Sequence, residues 1–145
     1  MIVNQCLYRE VLNSLAPKEA YHFFIRLIAQ MEGFKTRLKE IHWAAENMST
    51  HKLVDDILDS FTKFQDAVAE DVQGEFGDFP VGSIHPLLPS STELIPLLKE
   101  MRYEILIVPL NGIDGDMYTG IINEMEDFYH KLNVFIYLAR KVQRG

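Results

Sequence analysis

The sequence predicts an all-α domain: a four-helix bundle with a long connection between its second and third helices. Three observations carry that prediction. Apolar residues recur at three- and four-residue spacing in four long stretches, which is the helical period. Polar, glycine or proline punctuation brackets each stretch. The segment between the second and third stretches, residues 75–90 (EFGDFPVGSIHPLLPS), holds three prolines and two glycines and cannot form a regular helix. Antiparallel neighbours need only a short link, so this segment is expected to cross the length of the bundle. A chain of 145 residues is long enough for one domain with a real core.

In order, residues 1–15 place Leu7, Val11, Leu12 and Leu15 at helical spacing and predict a short N-terminal helix or extension. The first bundle helix is expected over 17–45, opening at Ala16-Pro17 with Glu19 on the favourable side of the dipole. Its apolar stripe is Tyr21, Phe24, Ile25, Ile28, Met31, Leu38 and Ile41. Tyr21, His22, Phe23 and Phe24 are expected to pack, and Gly33 weakens the helix by about 1 kcal/mol relative to Ala. The second helix is expected over 50–73, capped by Ser49 or Thr50 and ended by Gly74. The third, 91–108, follows the Ser90-Ser91-Thr92-Glu93 capping signal, carries Pro96 in its first turn and stops before Pro109. The fourth, 116–143, is capped by Asp116 and bears a broad apolar band including Met117, Ile121, Met125, Phe128, Leu132 and Ile136. Arg140, Lys141 and Arg144 suit its C-terminal end.

Composition excludes several function classes. A net charge of −7 repels phosphate backbones, and the terminal ARKVQRG is too small a basic patch to reverse that, so DNA binding is not expected. No apolar run approaches the ~20 residues needed to cross a bilayer. The opening MIVNQCLYREVL lacks the basic and apolar regions of a signal peptide, which makes a cytoplasmic location the expectation. Cys6 is the sole cysteine, ruling out an internal disulfide or a cysteine zinc cluster.

Chemistry concentrates between His42 and Glu70. On a helix beginning near Thr50, with His51 set at zero, Asp55 falls at roughly 40°, Asp66 near 60°, Asp59 near 80° and Glu70 near 100°. One stripe thus carries the metal-binding side chains, with Lys52 and Lys63 near 100° and 120° at its edge, and a stripe without cationic partners is the expectation. His51 with Asp55, and Asp66 with Glu70, are each one turn apart and can each converge on one ion. The two pairs are about 16 Å apart along the axis, whereas metal–ligand bonds are about 2.0–2.2 Å. One copy cannot wrap both pairs around one ion. A two-fold-related copy reversed about Ser60–Phe61 can, and it repeats the contact to give two equivalent sites per dimer.

The pattern His42-Trp43, then His51-x3-Asp55-x10-Asp66-x3-Glu70, resembles the ferroxidase signature of Dps-type mini-ferritins. The two histidines lie nine residues apart where that family usually has twelve, and Ala44 replaces an asparagine. The shorter turn is similar to a ferritin-like group from bacteriophages and large viruses. The resemblance implies a ferritin-like bundle whose 75–90 segment is the crossover. It also implies Fe(II) oxidation by peroxide or dioxygen and ferric storage in a hollow, homo-oligomeric dodecamer. His42, His51 and Asp55 would come from one subunit, with Asp66 and Glu70 from its partner. Asp59 is a weaker metal ligand, and Trp43 would lie near the iron or in the core.

Bland alternatives stand beside these expectations. Lone histidines such as His22, His85 and His130 are expected to be structural or exposed. Asp127 precedes His130 by three, so the Glu-x-x-His motif of ferritins with a site inside one bundle is absent. Asp56, Asp71, Glu124 and Glu126 are expected on a solvated face. Zinc accepts the same donors as iron. The rival function is a non-catalytic structural or interaction bundle, such as a virion or scaffold component, with a vestigial or zinc-filled site.

Overall fold

Apolar stripes at helical spacing come together in one core. The computed structural model describes residues 17–113 and 118–144, so the helix expected over 1–15 and the Asp116 cap lie outside the described residues. Helix α1 spans Pro17–Ala44, α2 Met48–Phe76, α3 Leu94–Met101, α4 Val108–Gly112 and α5 Thr119–Arg144. A π-helical segment, Arg102–Ile107, joins α3 to α4. The described residues contain no strand.

Helix α1 packs on α2, α2 on α5, and the α3–α4 rod on α5 and α1. Matching residue pairs set the directions. His42 meets His51, Glu32 meets Gln65, and Tyr21 meets Phe76, so α1 and α2 are antiparallel. Phe61 and Phe64 lie against Phe128, and Phe76 against Tyr118, which reverses α5 relative to α2. Arg102 donates to Asn133 at 2.8 Å and ties the π segment to α5. Phe24, Met31, Ile57, Phe61, Leu98, Met125 and Leu132 are fully buried between them. Each such side chain contributes about 1.5–3 kcal/mol by leaving water.

Helix ends differ from the expectations in instructive ways. The N-cap of α2 is Asn47, whose side chain accepts from the Thr50 amide at 2.8 Å; Ser49 and Thr50 already lie in the helix. Helix α2 continues past Gly74 to Phe76 and ends at Gly77, where φ of 111° favours glycine. Gly74 keeps a helical conformation that any residue could adopt. The Ser90–Glu93 segment makes no capping box. Glu93 is the N-cap without a side-chain bond, and the Ser90 and Ser91 amides donate to the Glu100 carboxylate instead.

The third helix does not stop before Pro109. Its ladder widens so that the Val108 amide reaches the Tyr103 carbonyl, five residues back, and the helix runs on to Gly112. Proline lacks a donor and clashes with the carbonyl four residues before it. A wider turn relieves that clash.

The connection 77–93 lies along α1. Tyr21 donates to the Asp78 carbonyl, the Leu87 amide donates to the Ala29 carbonyl, and Arg37 donates to the Pro89 carbonyl. Ala29, Gly33 and Arg37 form one row on α1, roughly 140–160° from Met31 and Leu38 for the central Gly33. A Cβ on Gly33 would overlap the Leu87 carbonyl, so this glycine is required by close approach of the connection.

Candidate metal centre

The three-residue link 45–47 between α1 and α2 brings His42 and His51 together. Their rings stack with centroids 3.9 Å apart and planes 25° from parallel. His42 Nδ1 lies 3.2 Å from the His51 carbonyl oxygen, and His51 Nδ1 lies 3.1 Å from the His42 carbonyl oxygen. A carbonyl can only accept, so both Nδ1 atoms donate. In the neutral ring this fixes the tautomer and leaves the Nε2 lone pair free for a metal. Both rings are half-buried at the end of the bundle.

Helix α2 presents the rest of the expected ligand set on its outer side. Leu53, Val54, Ile57, Phe61, Phe64, Val68 and Val72 take its buried face. Asp55, Asp59, Asp66 and Glu70 are all exposed. Asp55, Asp66 and Glu70 make no ion pair or hydrogen bond with a described residue. Asp59 does: its Oδ2 lies 3.2 Å from Lys63 Nζ, correcting the expectation of a stripe without counter-charge. That pairing competes with any role for Asp59 as a ligand.

Within one chain the expected set is therefore split. Among the described residues no three His, Cys, Asp or Glu side chains are gathered where one ion could sit. Asp55 does not complete a three-ligand group with His42 and His51, and Asp66 and Glu70 stand further down α2. Among the described residues the core holds no His, Cys, Asp or Glu side chain. Its buried polar residues among those described are Thr50 and Gln65 alone. Asp127, His130, His22 and His85 are exposed, as are Asp56, Asp71 and Glu126.

No protein-family model, curated protein or solved structure matches this chain.

Trp43 is 75% exposed beside His42, which excludes a place in the core. Met48, at 64%, is a second large apolar side chain uncovered beside this turn. Two polar arrangements were not anticipated from the sequence. Between α1 and α2, buried Gln65 donates to Glu32 at 2.9 Å and accepts from Lys35 at 3.1 Å, while Lys35 and Glu32 pair at 3.3 Å. Between the connection and the third helix, Glu100 and Glu104 border a cavity of about 310 Å³ with Arg26, Gln30 and Phe34. Burial works against the Glu100 charge, but the hydrogen bonds from Ser91 and Ser90 outweigh it and hold the carboxyl below its usual range. Burial, with the nearby Glu100 charge, pushes Glu104 up. A lone polar residue on a helical face gives no sequence signal for such partners, because they sit on another element.

Proposed function

We propose that the chain is an iron-binding mini-ferritin of ferritin-like fold. Two copies pair head to tail through α2, and Fe(II) binds between them. His42, His51 and Asp55 of one copy face Asp66 and Glu70 of the other. Mixed imidazole and carboxylate donors suit Fe(II), and its oxidised form prefers the carboxylate oxygens. Each Fe(II) gives one electron to peroxide or dioxygen, and the ferric product is stored or detoxified in a homo-oligomeric shell, a dodecamer by resemblance. Connection 77–93 lying along α1, and the α1–α2–α5–α3 ring of contacts, support a ferritin-like crossover.

The observation that carries this function is the reciprocal His42–His51 lock. It commits both Nδ1 atoms to carbonyls, leaves both Nε2 atoms for a ligand, and stands at the head of a stripe on which Asp55, Asp66 and Glu70 are unpaired. The split of that ligand set across one chain supports completion by a second copy.

The test is a double variant, Asp66→Ala with Glu70→Ala. Both residues are exposed, so the fold is expected to survive while rapid Fe(II) oxidation, followed by ferric absorbance, is lost. Unchanged kinetics would remove the catalytic role. A wild-type chain that is monomeric and inert toward Fe(II) would instead be a non-catalytic bundle. Metal analysis after purification without chelators would separate an iron site from a zinc one.

A further inference from the structure

We propose that the cavity between α1, the connection and the third helix binds a free aliphatic α-amino acid: Arg26 takes its carboxylate, Glu104 its ammonium group, and Leu87 and Leu88 its side chain. Arg26 and Gln30 are one turn apart on α1, Glu100 and Glu104 one turn apart on the third helix, and all four border the same space. Arg26 and Glu104 carry opposite charges, yet neither makes an ion pair or hydrogen bond with a described residue. Opposite charges that line one cavity and do not meet suit a ligand that carries both signs and bridges them with charge-assisted hydrogen bonds. A bare cation fits less well. Arg26 stands beside the two carboxylates, and among the described residues no third acidic, histidine or cysteine side chain joins them.

Bonds that involve neither Arg26 nor Glu104 fix the shape of this cavity. The Leu87 amide donates to the Ala29 carbonyl at 3.0 Å and Arg37 donates to the Pro89 carbonyl at 3.2 Å, pinning the connection to α1. The Ser90 and Ser91 amides donate to Glu100 at 3.1 and 2.9 Å, pinning it to the third helix. Glu100 is thereby committed to the wall, and Glu104 remains for a ligand. Burial, with the Glu100 charge, pushes the Glu104 carboxyl up. An ammonium group beside it favours the charged form and offsets that penalty. Phe34 is buried against the cavity, while Leu87 and Leu88 stand 38% and 58% exposed at its edge. An aliphatic side chain laid across them takes apolar surface out of water. A volume of about 310 Å³ is at the small end for ligand pockets, which suits an amino acid rather than a nucleotide. None of these residues belongs to the iron site proposed above, so the two readings stand or fall separately.

The experiment is isothermal titration calorimetry on the full chain with L-leucine, L-valine and L-methionine as probes. Saturable binding of at least one is expected. Two analogues of leucine divide the charges: 4-methylpentanoate lacks the ammonium group and 3-methylbutylamine lacks the carboxylate. Each should bind about tenfold more weakly than L-leucine or worse. Glu104→Gln and Arg26→Gln should each weaken amino-acid binding by a similar factor. Glu104→Gln is expected to be more stable than wild type at neutral pH, so its weaker binding cannot come from unfolding. No saturable binding of any of the three amino acids, or binding that both variants leave unchanged, would overturn the site. Equal binding of L-leucine and 3-methylbutylamine would overturn the amino-acid reading and leave an organic-cation pocket.

Discussion

Gly33 of α1 lies directly beneath the carbonyl of Leu87, so close that a single added methyl would occupy the oxygen's place. Gly33→Ala gains about 1 kcal/mol of helix propensity, yet it must push the connection's backbone away. Overpacking of this kind costs about 1–3 kcal/mol, so a net loss of stability is expected in urea unfolding. Gly74→Ala is the control, since nothing lies within 4 Å of its added carbon. That change should stabilise the chain by up to about 1 kcal/mol.

The histidine pair can be divided into its two duties. His42→Asn keeps an amide N–H able to donate to the His51 carbonyl and removes the Nε2 ligand. His42→Ala removes both. The alanine variant should lose about 1 kcal/mol of stability while the asparagine variant loses less. Both should slow Fe(II) oxidation by about tenfold or more. Equal oxidation rates for wild type and the asparagine variant would mean that the ring serves only to close the hairpin.

Gln65 is the polar group most deeply committed to the α1–α2 contact, being 5% exposed with two partners. Gln65→Leu keeps the volume but strips one hydrogen bond from Glu32 and one from Lys35. A loss of about 1–2 kcal/mol is expected, measured by thermal or denaturant unfolding. A fully stabilising substitution would show that the pair Lys35–Glu32 is satisfied without it.

Glu104 gives a pH dependence of known sign. Its folded-state carboxyl titrates above the ordinary value of 4.5 because burial and the Glu100 charge disfavour ionisation. Protonation therefore favours the native state, and this contribution is lost as pH rises through the folded value. Glu104→Gln should raise the melting temperature at neutral pH, with the gain vanishing at pH below the unfolded value. A gain that persisted unchanged at low pH would point to packing rather than charge.

Much of this architecture was legible in the sequence because helical periodicity and glycine–proline punctuation are local signals. The four helical stretches follow from stripes such as Phe24, Ile28 and Met31 or Met125, Phe128 and Leu132, and the long connection follows from its prolines. What was not legible depends on contacts between distant segments. Gly33 reads as a weak point until Leu87 is laid over it, and Pro109 reads as a terminator until the ladder widens before it. The exposure of Asp55, Asp66 and Glu70 agrees with the periodicity of α2. The stacking of His42 on His51 is different, because it depends on how tightly residues 45–47 turn.

Connection 77–93 leaves a mark on the surface of the helical hairpin. By lying over Ala29, Gly33 and Arg37 it shields one flank of the helical hairpin with backbone already engaged in bonds of its own. On that flank the surface is made by the exposed Val81, Leu87 and Leu88 of the connection in place of this row of α1. The same strip of chain that links the two halves of the fold thereby decides which side chains one flank of the hairpin shows to solvent.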